Sequence, residues 1–159
     1  MNGLFSEPGF PHKGWEEVDC EDLGAGNYEY CEACSRQEIR YVHILRHDNY
    51  PNDIRVGCVC AENLIEGYCG KEKERKARRL HNFINNKRWS INQYGNFTIS
   101  YKQYTVEICP IENVYKVSIC KIPVQNNKWK NGEKEFNTLE EAKKAAFNGI
   151  FFLKKKEQK

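Results

Sequence analysis

The sequence predicts an α+β chain. A small cysteine-flanked module comes first, and a helix, a three-stranded antiparallel sheet and a second helix follow it. Three observations carry that reading. Two close cysteine pairs, Cys31/Cys34 and Cys58/Cys60, bracket a short strand-like pair. Apolar residues recur at period two between Phe97 and Cys120, as in half-buried strands. They recur at helical spacing near 71–88 and again near 138–153. The expected division is a loose segment 1–14, an acidic module 15–69 and a basic α-β-β-β-α domain 70–159.

At 159 residues the chain suits one ordinary domain or two small ones. Aromatic residues make up 13% of it, which points to a folded protein. No apolar run approaches the roughly 18 residues of a membrane span, so no membrane partner is expected. The N-terminal stretch lacks a basic region followed by an apolar core, so no secretory signal is read there. The 8 cysteines are therefore expected in a reducing cytoplasm, where close pairs point to metal and not to disulfides. Charge is divided unevenly. Residues 1–69 carry 5 Lys/Arg against 13 Asp/Glu, and residues 70–159 carry 20 against 9. Such a division serves either attraction between the halves or a polyanionic partner of the basic half.

Residues 1–14 hold Gly3, Pro8, Gly9, Pro11 and Gly14 and read as a loose lead-in. Trp15 to Leu23 is the first ordered piece, with Trp15 and Val18 able to cover the module. Gly24, Gly26 and Asn27 make a turn. Cys31 and Cys34 form a C-x-x-C knuckle. Ile39 to Arg46 alternates as a strand, with Ile39, Tyr41, His43 and Leu45 on one face. Asp48 to Asp53 turns the chain, and 53–59 is the return strand. Gly57 bends the backbone before Cys58, and Cys60 is placed at the start of a helix, AENLIEGY.

Thiolates from a knuckle, a hairpin and a helix start suit a tetrahedral zinc ion. The expected ligands are Cys31, Cys34, Cys58 and Cys60, with His43 or His47 as the alternative fourth. A closed four-ligand site is structural, because it leaves no position for substrate. A redox C-x-x-C would need a βαβ context, and a hairpin follows instead. The order of knuckle, hairpin and helix is a treble-clef arrangement. The stretch from Trp15 to Glu66 resembles a zinc-binding module of small, largely uncharacterised bacterial and phage proteins. The likeness rests on Trp15, Asp22, Cys31, Cys34, Ile39 to His43, His47, Pro51 and Val56 to Ala61. It covers about a third of the chain. It implies zinc binding without catalysis, in the cytoplasm of a bacterial or phage-infected cell. Some similar modules keep only the cysteine equivalent to Cys60, which is why a histidine remains an alternative to Cys58.

The stretch KEKERKARRLHNFINNKR, 71–88, is strongly helix-forming. Ala77, Leu80, Phe83 and Ile84 form its apolar stripe. Lys73, Arg75, Lys76, Arg78, Arg79, Lys87 and Arg88 are the candidate nucleic-acid contacts. NFTISY and YTVEIC read as a hairpin about Lys102 and Gln103, and VYKVSICKI as a third strand. Cys109 and Cys120 are expected to lie near each other as small core residues. Gln125 to Glu135 is read as a polar loop. Thr138 and Glu141 make a capping box that opens a helix through about Leu153. Helix, three strands, helix is an order that resembles a double-stranded-RNA-binding domain. The chain departs from that family in its short Lys102-Gln103 turn and in Glu140 and Glu141 at the last helix's start.

The function expected from these features is a zinc-binding, non-enzymatic protein that binds DNA or RNA through its basic half. An alternative is a protein-interaction or inhibitor module, for which Glu16, Glu17, Asp19, Glu21 and Asp22 would meet a basic protein partner. A third reading, a treble-clef metal-dependent nuclease, would need His43, His47, Asp48 and Asp53 to converge. No Gly-rich phosphate loop and no nucleophile-elbow motif appears, so no small-molecule substrate is evident.

Overall fold

A computed structural model describes residues 3–157. The chain is mixed α/β, with antiparallel sheets and helices α1 (Cys58–Leu64), α2 (Gly70–Ile84) and α3 (Leu139–Glu157) among the described residues. It divides into two compact units, one ending at His81 and the other starting at Asn82. The division falls inside α2, whereas the charge change falls near residue 70. The cause is visible in the side chains of α2. Glu74 bonds His43 and Lys73 pairs with Glu17, which ties its first turns to the first unit. Phe83 packs on Trp89, Tyr101 and Phe147 of the second.

In the first unit, β1 (Glu16–Asp22), β4 (Tyr41–Arg46) and β5 (Ile54–Val56) form a sheet in the order β1-β4-β5. The expected hairpin pairs antiparallel, with His43 opposite Val56 and Leu45 opposite Ile54. The WEEVDCEDL stretch becomes its third strand, with a register shift between Glu17 and Asp19. That addition makes β4 central. Val42, His43 and Leu45 are all fully buried, so both of its faces are covered. Short strands β2 (Glu29–Tyr30) and β3 (Glu38–Ile39) pair on either side of the knuckle.

The lead-in expected to be loose instead lies over the knuckle. The Leu4 and Phe5 amides donate to the Glu32 and Ala33 carbonyls. A methyl at Gly3 would collide with the Ala33 carbonyl. Phe10 is buried against Trp15 and Tyr50. Glycine and proline suggest a loose segment, but the ring contacts among Phe5, Phe10 and His12 hold it in place. Residues 1 and 2 of that segment lie outside the described residues.

The second unit is a five-stranded sheet in the order β10-β9-β8-β7-β6, where three strands are expected. Its strands are β6 (Ser90–Ile91), β7 (Phe97–Tyr101), β8 (Tyr104–Ile111), β9 (Val114–Lys121) and β10 (Lys130–Phe136). The predicted loop 125–135 contains most of β10. That strand is a nearly fully exposed edge, KNGEKEF, without apolar alternation, so its sequence carries no strand signal. α3 packs against β8, β9 and β10. Ala142, Ala146, Phe147 and Ile150 are its buried face. Gly149 lets the helix approach Ile119 of β9, where a methyl would crowd Ile119 Cδ1 at 2.8 Å. Thr138 caps the helix, with the Glu141 amide donating to its hydroxyl at 3.1 Å. Cys109 lies opposite Lys116 and Cys120 opposite Thr105, so the two cysteines are not cross-strand neighbours.

Candidate metal centre

The knuckle is a tight turn. The Ser35 amide donates to the Cys31 carbonyl at 2.7 Å, and the Cys31 amide donates to Gln37 at 2.9 Å. Ser35 occupies the left-handed region at φ 55°. These bonds bring Cys31 and Cys34 to one side of the turn. Cys60, in the first turn of α1, completes a group whose three sulfurs all lie within 4.8 Å of one another. Cys31 and Cys60 are buried and Cys34 is half-buried.

Electrostatics within the group favour a negatively charged sulfur. A hydrogen bond from Cys60 holds the Cys31 thiol below its ordinary range, against the opposing effect of burial. The Gly57 amide also points at Cys31 Sγ, at 3.4 Å. The same shared hydrogen bond, together with burial, pushes Cys60 up. The shared hydrogen bond thus favours negative charge on Cys31 over Cys60. A thiophilic cation in the middle of three sulfurs does the same work as that bond and does it for all three. Cys31, Cys34 and Cys60 could therefore hold a metal ion.

None of the three expected fourth ligands joins them. Cys58 lies outside the group because α1 begins at Cys58 and not at Cys60. A helix turns about 100° per residue, so side chains two apart project about 200° apart. In extended chain they would share a face. Cys58 Sγ points instead towards Glu62, 3.4 Å from its carboxylate, and against Gly70, where a methyl would collide with it. Burial and the Glu62 bond push the Cys58 thiol up to about 11, the opposite of Cys31. His47 is committed elsewhere. Its Nε2 donates to the Lys13 carbonyl at 2.8 Å and its Nδ1 accepts from the Asn49 amide at 3.0 Å. His43 is fully buried between Tyr68 and Glu74. Asp53 is paired with Arg46 at 2.9 Å. Among the described residues, His43, His47, Asp48 and Asp53 do not form a metal-binding group.

The basic candidates are all exposed. Lys73, Arg75, Lys76, Arg78 and Arg79 line the solvent side of α2, whose inward residues are Ala77 and Phe83. Lys87 and Arg88 lie in the turn beyond it. Lys73 is neutralised by Glu17 at 3.0 Å. Arg75, Lys76, Arg78 and Arg79 have no ion-pair partner among the described residues. Arg75 and Arg78 share a shallow cavity of about 190 Å³ with Tyr41, Lys71 and Glu74. Trp89, just beyond these residues, is committed to packing, with its indole N–H on the Phe83 carbonyl and Lys143 over its ring. Tyr94 is exposed and Trp129 is partly exposed.

Much of the acidic patch is spent internally. Asp22 holds Arg40 in a two-pronged bond at 2.7 and 3.1 Å. Glu21 and Glu29 share Arg55. No described helix is long and apolar enough to cross a membrane. The chain matches no protein-family model, no curated protein and no solved structure.

Proposed function

We propose that this is a zinc-stabilised, non-enzymatic protein that binds nucleic acid through the basic face of α2. In this reading the first unit is a treble-clef-like module whose zinc, held by Cys31, Cys34 and Cys60, is structural. The observation that carries the reading is the row Arg75, Lys76, Arg78 and Arg79, exposed and without an ion-pair partner among the described residues, whereas Arg40, Arg46 and Arg55 of the same unit are paired. Positions 75, 78 and 79 fall on one side of the helix at i, i+3 and i+4 spacing. A surface of this kind gains free energy by releasing the counterions that a phosphate backbone condenses. The shallow cavity that Arg75 and Arg78 share with Tyr41, Lys71 and Glu74 adds further donors and an aromatic wall beside one carboxylate. The zinc contributes folding energy, because so short a hairpin and helix bury little surface by themselves. The setting proposed is the cytoplasm of a bacterial or phage-infected cell.

The test is fluorescence anisotropy of DNA and RNA probes with the full chain across a salt series. The expected result is affinity that falls steeply with salt. Arg75→Gln, Arg78→Gln and Arg79→Gln should each lower the logarithmic salt slope by about 1. No binding of either probe at low salt would overturn the reading. It would leave the protein-interaction alternative, to be pursued by pull-down.

A further inference from the structure

We propose that His43, Cys58 and Glu74 form a second metal site, separate from the three-sulfur group, that takes zinc or a similar divalent ion and keeps one position open to a cavity. The three ligand atoms all lie within 4.8 Å of one another. Around a tetrahedral zinc with bonds of about 2.0–2.3 Å, ligand atoms stand roughly 3.3–3.8 Å apart. His43 Nε2 and Glu74 Oε2, at 2.8 Å, must open by about half an ångström to admit the ion, and Cys58 Sγ must settle at a similar spacing from both, shifts within reach of side-chain torsions. The ligands come from three elements, β4, α1 and α2, so the fold and not a local turn assembles them.

His43 is prepared for this role by its surroundings. It is a fully buried polar residue of the first unit. Its Nδ1 is 2.6 Å from the Tyr68 hydroxyl and its Nε2 is 2.8 Å from Glu74 Oε2. Without metal, Nε2–H donates to Glu74 and the Tyr68 hydroxyl donates to Nδ1. With metal, the imidazole takes its other tautomer. Nδ1–H then donates to Tyr68 and the Nε2 lone pair faces the ion. An oxygen that holds the distal ring nitrogen is the usual partner of a metal-bound histidine. Tyr68 supplies one here without any side chain moving. Glu74 is the carboxylate ligand, and its side chain is only 13% exposed. Cys58 binds as a thiolate and gives up its contact with Glu62.

Cys58 and Glu74 line a cavity of about 290 Å³ together with Ile39, Arg40, Tyr41 and Lys71. A fourth coordination position directed into that space is accessible to water or to a small oxyanion. Three protein ligands leave the fourth position of a tetrahedral ion for such a molecule. The split of the C-x-C pair acquires a purpose on this view. One cysteine serves each site, on opposite sides of α1.

Metal content of the full chain, loaded with zinc and dialysed, tests the proposal by native mass spectrometry. Two zinc ions per wild-type chain are expected, and one in Cys58→Ser and in Glu74→Gln. Glu74→Gln retains a hydrogen-bonding group for His43, and its circular dichroism against wild type guards against simple misfolding. A cobalt titration gives a second readout. The equivalent lost in Cys58→Ser should carry the weaker sulfur-to-cobalt band, since one sulfur contributes instead of three. One zinc in the wild type and one in both variants would overturn the proposal, leaving a hydrogen-bonded cluster only. A fall from one zinc to none in Cys58→Ser would also overturn it, by showing a single site shared by all the cysteines.

Discussion

Arg40 and Asp22 show at the level of single residues how the first unit manages its excess of acid. The Asp22 carboxylate has no exposed side-chain surface. Burial pushes it up, but the Arg40 bond, the Gly24 amide and the Arg40 charge outweigh burial and hold it below its usual 3.8. A carboxylate with a depressed value stabilises the fold above its ordinary range and loses that contribution as pH falls through the depressed value. Arg40→Met should therefore be less stable than wild type at neutral pH. The gap should close as pH falls from 3.8 through the wild type's depressed value, below which Asp22 is protonated in both proteins. Urea unfolding at a series of pH values measures this. A gap that stays constant into acid would show that Arg40 acts through its packing on Tyr41 instead. The three-sulfur group makes its own prediction. Cys60→Ser should remove zinc from that group, because a hydroxyl at ordinary pH replaces a ligand sulfur. Zinc retained at full stoichiometry in Cys60→Ser would sink the ligand assignment.

Helix boundaries, at the next scale up, decide which chemistry is possible. Moving the start of α1 by two residues, from Cys60 to Cys58, turns one four-thiol site into a three-thiol group and a separate His/Cys/Glu cluster. Gly70 at the start of α2 is part of the same arrangement, because its missing side chain makes room for Cys58 Sγ. α3 shows a boundary that is simple to read in advance. Thr138 accepts from the Glu141 amide, and Glu141 reaches back to the Asn137 amide at 3.3 Å. Thr138→Ala should cost about 1 kcal/mol, the usual worth of an N-cap. Chemical denaturation would register it as a lower midpoint with an unchanged slope. No change in the midpoint would mean that packing on Ala142 and Ala146 alone holds that end of the helix.

At the scale of the whole molecule, two compact units with separate cores should respond separately to loss of metal. The first has Trp15, Val42, Leu45, Ile54 and Leu64 at its core. Its knuckle and hairpin are small, and a metal held by the three sulfurs would add to their folding energy. The second unit contains Phe83, Val106, Ile108, Phe147 and Ile150 and has no metal-binding group among its described residues. Calorimetry with a chelator should lower one thermal transition and leave the other in place. A single transition that moves as a whole would show that the units unfold together.

The amino-acid order by itself determined the local features. The period-two runs at 97–101, 104–109 and 114–120 became strands, because alternation admits one buried face in only one register. The Thr138/Glu141 pair placed α3, and the C-x-x-C turn placed two sulfurs side by side. Tertiary structure alone decided everything that depends on neighbours distant in the chain. β1 covers β4, so His43 is buried where alternation placed it on an ordinary strand face. Tyr68 and Glu74 meet His43 from 25 and 31 residues away, and no spacing rule connects them. β10 is a strand because β9 offers it an edge to pair with, since its own residues carry no apolar pattern. The C-x-C pair marks the limit most sharply. Its spacing is the same in helix and strand, but the direction in which each sulfur points depends on backbone torsions that packing selects.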